Sequence, residues 1–521
     1  MSSFARRCLA VSLFGSLLLG VGAAHAATIE VGPSDDVESA INALQPGDEL
    51  VLAGGDYTLT DAWHISVTGT AAAPIVIRAK DGESPHLNRP AADQNIIDFD
   101  VAQYVEIRGI RFSGGSHGLR FIDADFVTVR DCEVFDTGDV AISANSGGDY
   151  EGLQFIHNHV HHTNGTGEAF YIGCNENACR VHDSLFEGNY IHHTNGPSVE
   201  QGDGIELKEG SYNNIVRDNV IHDTNYPCIL TYSTVGNGGP NILERNVMWN
   251  CGDHAIQSAA DVIIRNNIIL GAVGYGIANQ QHQNGSPSNI EIMFNTILNG
   301  DDAIRSSGIT GSLVIANNAV YSEGGSAISV SGDLSAVTVA GNVGVGGLNG
   351  VSAGLAAGDL ANDFVAANFS GVLPNDVFPK AGSALIAAGD TQYMVTDDFN
   401  GTLRNGVADV GAYVFADANP GWTLAEGFKD ETPVTGGNGG TGGGTGGGNA
   451  GGGPGNGGSS NGGSGGGGAS TGTGGSNADG SGDDGGCGCR MVGTSGSTAW
   501  GALLFGLSLV LLSRRRIALR G

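Results

Sequence analysis

The sequence is poor in positive charge, in aromatic side chains and in any sustained helical period. Of 521 residues only 23 are Lys or Arg, against 54 Asp or Glu, and aromatics make up 7%. A net charge of −31 excludes a nucleic-acid or polyanion binder that works through a broad basic face, because the long-range field repels such partners. No long stretch repeats its apolar residues at a 3.6-residue spacing, which excludes a helical bundle. Of the 8 cysteines, the five between residues 27 and 432 include no second pair at a spacing that would complete a structural zinc site around Cys174 and Cys179.

Residues 433–486 lack aromatics altogether and are mostly Gly, Ser, Thr and Asn, so they cannot bury a core and read as a flexible linker. Residues 1–26 carry Arg6 and Arg7, an apolar run and Ala24-His25-Ala26, the pattern of a secretory signal peptide cut after Ala26. Cys8 is lost with it, and no cysteine follows the cut, which argues against an N-terminal lipid anchor. Residues 487–521 hold Cys487-Gly488-Cys489-Arg490, an uncharged apolar stretch, then Arg514, Arg515 and Arg516. That stretch is long enough to span a bilayer core of about 30 Å, with the arginines on the cytoplasmic side. The three parts together resemble the MYXO-CTERM surface-sorting signal of myxobacteria. The resemblance implies a sorting protease that cuts near Cys487 and Cys489, and a product held at the cell surface. A plain transmembrane anchor in the cell envelope is the alternative. Seven of the 23 basic residues and none of the 54 acidic ones lie in the two terminal segments, which leaves 16 against 54, or −38, for the exported part.

The middle of the chain repeats. Cys132, Asn158, Asn189, Asn219, Asn246, Asn267, Asn295, Asn318 and Asn342 each open an N-x-[IV]-like phrase, at steps of 21 to 31 residues. Each phrase is a short alternating strand, followed by a Gly/Asn/Asp turn and a second short strand. Such a period with β-branched strands predicts an all-β solenoid, a single-stranded parallel β-helix with asparagine stacked at one turn. Residues 35–44 predict one short amphipathic helix covering the open N-terminal end. The expected divisions are a cap with first coils at 27–103, repeats at 104–345 and a C-terminal cap region at 346–432, its cap ending near Phe415.

Aligning Leu119, Ile142, Phe170, Ile205, Ile229, Ile256, Ile277, Ile304 and Ile328 as inward residues puts the next residue of each strand outward. The outward column reads Arg120, Ser143, Tyr171, Glu206, Leu230, Gln257, Ala278, Arg305 and Ser329. A second outward column carries Lys208 and Tyr232. Glu206, Lys208, Tyr171 and Tyr232 should therefore share one patch, flanked by Arg120 and Gln257 as further candidate substrate-binding residues. The "HVHH" and "YIHH" phrases suggest a metal. The repeat offers another reading, in which Phe135, His161, His192, His222 and Trp249 stack as one column of rings. His162, His193 and Asp223 stay as an adventitious metal ladder. Cys174 and Cys179 bracket four residues and suit a small disulfide loop; Cys228 with Cys251 is a weaker pairing, and one thiol must stay over.

The phrases "PGDELVLAGGDY" and "TAAAPIVIRAKDG", with the repeats, resemble the right-handed parallel β-helix proteins of the pectate-lyase-like superfamily, most nearly the chondroitinase B and alginate lyase type. The resemblance covers residues 27–345. It implies a right-handed solenoid and β-elimination on a uronic-acid polysaccharide. "GDGIELKEGS" matches the strand that supplies the base lysine there, which makes Lys208 the candidate base. Asp203, Glu206 and Glu209 then become candidate Ca2+ ligands and Tyr232 the candidate acid. The chain departs from that pattern in having no arginine at the level of Tyr232. Two other readings stand beside the lyase. One is a non-catalytic carbohydrate-binding or structural surface protein. The weaker one is a glycoside hydrolase of the polygalacturonase type, suggested by "GDDAI" at Gly300. Gly-Asp recurs at Gly138, Gly202 and Gly252, however, which reads as a repeated turn.

Overall fold

Short β-branched strands with one buried face cannot stand alone, and along the coils each lies in parallel register on the next, while Phe364–Ala366 and Asp376–Pro379 form a separate antiparallel pair. The computed structural model describes residues 26–429, so the signal-peptide, linker and anchor readings lie outside the described residues. Among the described residues, no helix is long and apolar enough to cross a membrane. Most of the strands join in one 35-stranded sheet wound as a right-handed parallel β-helix, and two separate two-stranded sheets stand beside it among the described residues. The strand Phe170–Ile172 pairs with Ile205–Leu207, which pairs with Ile229–Thr231 and then Ile256–Ser258. Inward Phe170, Ile205, Ile229 and Ile256 are fully buried, as the period-2 alternation requires.

The asparagine turn is a ladder of side-chain amides. From Asn158 to Asn342 each Nδ2 donates to the Oδ1 of the next asparagine at 2.9–3.0 Å, and each backbone N–H donates to the same oxygen. Cys132, at the head of the series, offers only its N–H, to Asn158 at 3.1 Å, and its thiol is free and buried. A second, shorter ladder runs from Ser184 through Asn214 to Asn241. The residues after the ring column, Asp136, His162, His193, Asp223 and Asn250, all take the left-handed conformation with φ of 48–56°. Asn, Asp and His tolerate that region better than bulkier side chains do.

The N-terminal helix spans Val37–Asn42, shorter than its apolar pattern. Asp36 caps it by accepting from Ser39 N–H at 3.1 Å, and Val37 and Ile41 are buried. The C-terminal region does more than close an end. One outward column, Val220, Val247, Ile268, Thr296, Ala319 and Val343, is mostly apolar and needs cover. Phe364, Phe378, Phe399, Tyr413 and Trp422 pack on it, and the chain continues along this flank past Phe415 to Lys429. Lys429 Nζ donates to Asp218 at 2.6 Å and lies 3.7 Å from the Phe399 ring centre.

Candidate functional site

The strand Ile205–Leu207 carries the chemistry because its alternation turns Glu206 outward between two inward residues. Glu206 Oε1 accepts from Lys208 Nζ, and from the Tyr232 hydroxyl at 3.0 Å. The ammonium sits 4.2 Å from the centre of the Tyr171 ring and 5.2 Å from that of Tyr232. Parallel register makes this possible: Tyr171 pairs with Glu206 across one coil step, and Tyr232 N–H bonds Leu207 O across the next. Lys208 is 5% exposed and Tyr232 4%.

Behind this pair stand three buried carboxylates. Glu168, Asp203 and Glu206 each bring an oxygen to within 4.8 Å of the others. Both oxygens of Glu168, Oδ1 of Asp203 and Oε2 of Glu206 have no hydrogen-bond partner. Burial, and then Glu206, push the Glu168 carboxyl up to about 7. Burial with the Glu206 and Glu168 charges raises Asp203 too. Burial alone pulls Lys208 down, but Glu206 and the two phenols outweigh it and leave the ammonium harder to deprotonate than usual. Burial and Glu206 raise the Tyr232 hydroxyl as well. Unpaired buried carboxylates are costly, and all-oxygen donors in this number suit a hard divalent cation such as Ca2+. The donor set therefore fits calcium.

Of the residues singled out in the sequence, Asp203, Glu206, Lys208, Tyr171 and Tyr232 come together. Glu209 does not join the carboxylates. Its oxygens accept from Asn284 N–H and Nδ2 at 3.0 and 3.2 Å, so it holds a loop. Arg120 lies three coil steps along the outward column, about 14 Å away at the usual coil spacing, and donates to Ser146 Oγ. Gln257 lies two steps the other way. Two loops roof the site. Cys174 and Cys179 form a disulfide that closes one of them. In the other, His282 stacks on Tyr232 at 4.5 Å, and Gln283 bonds Asn175 and Glu176 at 3.0 and 3.3 Å. Cys228 and Cys251 form a second disulfide.

Glu168 was missed, although a signal was present. It stands two residues before inward Phe170, as Asp203 stands two before Ile205. The repeated Gly-Asp turn obscured this. Asp139, Asp253 and Asp301 stand three residues before their inward residues, so they are not in the Asp203 column. In the "GDDAI" phrase, Asp302 Oδ1 accepts from Ser326 N–H at 2.6 Å and Asp301 is exposed. That is a turn between coils, and no acid–base carboxylate pair stands out there.

The ring column is a stack. Phe135, His161, His192, His222 and Trp249 follow one another at 4.3–5.3 Å and 4–15°. His162 and His193 stack beside it at 4.8 Å, and Asp223 accepts from His222 Nδ1 at 2.6 Å. Burial and neighbouring rings hold His159 down to about 4 and His192 to about 2.

Comparison with known proteins agrees with this architecture. The family model described as "Pel9A-like, right handed beta helix region" matches residues 21–192, and that described as "Right handed beta helix region" matches residues 182–304. The pectate lyase PEL9 of Emericella nidulans is 32% identical over 113 residues, which are 19% of this chain and 27% of that protein. The chain thus spans about a quarter of that relative's length. Among solved structures, pectate lyase Pel9A matches at 15% identity and a TM-score of 0.47, covering 75% of this chain and 97% of its own. An alginate lyase from Paenibacillus sp. str. FPU-7 matches at 21% and 0.37, covering 63% and 97%. The alginate lyase AlyGC matches at 16% and 0.41, covering 77% and 60%.

Proposed function

We propose that this right-handed parallel β-helix is a polysaccharide lyase that cleaves a uronic-acid polymer by β-elimination with the help of Ca2+. The observation that carries the reading is a buried lysine between two tyrosines, beside carboxylate oxygens with no partner of their own. The family-model matches and the partial identity to a pectate lyase support it. Glu168, Asp203 and Glu206 would hold the cation, which supplies positive charge against a uronate carboxylate and competes with Lys208 for Glu206.

In that site Lys208 acts as base only in its neutral form: a cation on Glu206 would remove the carboxylate that holds the ammonium proton, that proton leaves to solvent, and the free amine then takes the proton next to the uronate carboxylate. Tyr232, whose hydroxyl stays protonated, delivers a proton to the leaving glycosidic oxygen. The roofing loops exclude water from the pair, which disfavours hydrolysis. Arg120, partly exposed on the same outward column, would meet the polymer, whereas Gln257 is buried. We extend the proposal to location: the two disulfides suit an oxidising compartment, and the terminal segments carry signals for export and envelope anchoring.

The test is the formation of unsaturated uronide from polygalacturonate and alginate, followed by ultraviolet absorbance. Lys208→Ala should lower turnover by about 10²–10⁴-fold, the usual contribution of a positioned base. Chelation of calcium and Glu168→Gln should each lower it strongly. Binding of these polymers with no turnover would favour the non-catalytic reading.

A further inference from the structure

The outward face of the first strand stack holds a second cluster, which the lyase chemistry does not use. His159 and His161 stand two residues apart on the strand His159–His161, so both point outward. The next coil places His192 opposite His161, and the preceding coil places Glu133 opposite His159. Atoms of His159, His161 and His192 lie within 4.8 Å of one another. The closest approaches are His159 Nε2 to His192 Nε2 at 2.8 Å and His161 Nε2 to Glu133 Oε1 at 3.1 Å. Glu133 Oε1 is also 3.8 Å from His159 Nδ1.

We propose that His159, His161 and His192 form a binding site for a borderline transition-metal ion, of which Zn2+ is the best fit, with Glu133, whose other oxygen accepts from Arg111, as the neighbouring carboxylate. Zinc bonds of about 2.0–2.1 Å in a tetrahedron put ligand atoms about 3.3 Å apart, so three nitrogens already within 4.8 Å of one another need only small ring rotations to close on one ion. The donors are imidazoles with one carboxylate, which suit zinc, copper or nickel and not calcium. The outer ring nitrogens are engaged: His161 Nδ1 meets His162 Nδ1 at 2.6 Å, and His192 Nδ1 meets His193 Nδ1 at 2.6 Å. If the ligand rings donate in these pairs, both Nε2 lone pairs face inward to the cluster. That gives the left-handed His162 and His193 a role as outer-shell partners that fix the tautomer.

The contacts at 2.8 Å between two imidazole nitrogens and at 3.1 Å between a nitrogen and a carboxylate oxygen are of hydrogen-bond length, and a bound ion would replace the protons they share. Side-chain exposures of 28%, 12% and 24% for His159, His161 and Glu133 leave an entry path. The flanking C-terminal segment brings Phe428 over one side, 6.3 Å from His159 and 6.0 Å from Tyr190. An ion here would join three coils on the flank that Phe428 covers.

The experiment uses tag-free protein, stripped of metal and titrated with Zn2+ by calorimetry, and with Co2+ followed by its visible spectrum. One Zn2+ per chain should bind, and Co2+ should give the intense bands of a tetrahedral site that excess Ca2+ does not quench. His159→Gln and His192→Gln should each weaken binding beyond the about 10–100-fold typical of an outer-shell loss. Glu168→Gln should leave it unchanged, which separates this site from the carboxylate cluster. Circular dichroism checks that each variant folds, and the Co2+ spectrum of the unaltered protein stands if one does not. The proposal is overturned by an absence of Zn2+ binding or by a weak octahedral Co2+ spectrum. Zinc retained in His159→Gln but lost in a His162→Ala/His193→Ala variant would also overturn it, by placing the ion on the outer ladder.

Discussion

Asn219 leaves none of its side-chain polar groups unpaired. Its Nδ2 donates to Phe186 O and Asn246 Oδ1, and its Oδ1 accepts both donors of Asn189. Asn219→Ala would strand two buried N–H groups on Asn189, one of the backbone and one of Nδ2, and a buried carbonyl on Phe186, each costing about 1–3 kcal/mol. The variant should unfold at clearly lower denaturant concentration with little change in far-ultraviolet circular dichroism. An unchanged midpoint would mean the ladder is incidental. This residue scale was the most legible in the sequence, because stacked coils repeat the same demand and the demand repeats the same letter. The columns of Ile205, Glu206 and His192 follow from counting alone. Glu168 was lost only because two different Gly-Asp registers look alike until the inward residues are aligned.

At the scale of the element, the roof over Lys208 and Tyr232 was illegible. Gln283 and Asn175 are 108 residues apart, and neither loop has a period that would announce the contact. Glu209 was assigned to the carboxylates for the same reason: nothing local shows that Asn284 claims it. The roof depends on the disulfide loop, since Asn175 anchors Gln283 and Asn177 accepts from Asn237 at 3.0 Å. A Cys174→Ser/Cys179→Ser variant should keep its coils. Hydrogen exchange should then rise several-fold at residues 174–179 and 281–285 together. Faster exchange in only one of the two loops would show that they are not coupled.

Across the whole molecule, stability is shared between the stack and the segment laid along its flank. That segment has no repeat, so its path could not be read, although the apolar outward column from Val220 to Val343 marked a surface needing cover. Ending the chain at Phe415 would remove Trp422, Phe428 and Lys429. The Asp218 carboxylate would keep Arg245 as its partner at 2.8 Å, so the loss should be mainly apolar. Each large apolar side chain contributes about 1.5–3 kcal/mol when fully buried. Such a truncation should lower the unfolding free energy by an amount of this size and increase binding of a hydrophobic dye. A truncated chain of unchanged stability would show that the flank after Phe415 is only draped on the stack.

The central claim is that the Glu168, Asp203, Glu206 and Lys208 cluster performs elimination on a polyuronate. The most direct test is the mass of the oligosaccharides that the full chain releases from polygalacturonate and alginate in the presence of calcium. Elimination predicts fragments with an unsaturated end, lighter by one water than hydrolysis products, and none above background from Lys208→Ala. Fully hydrated fragments, or the same unsaturated fragments from Lys208→Ala, would contradict it.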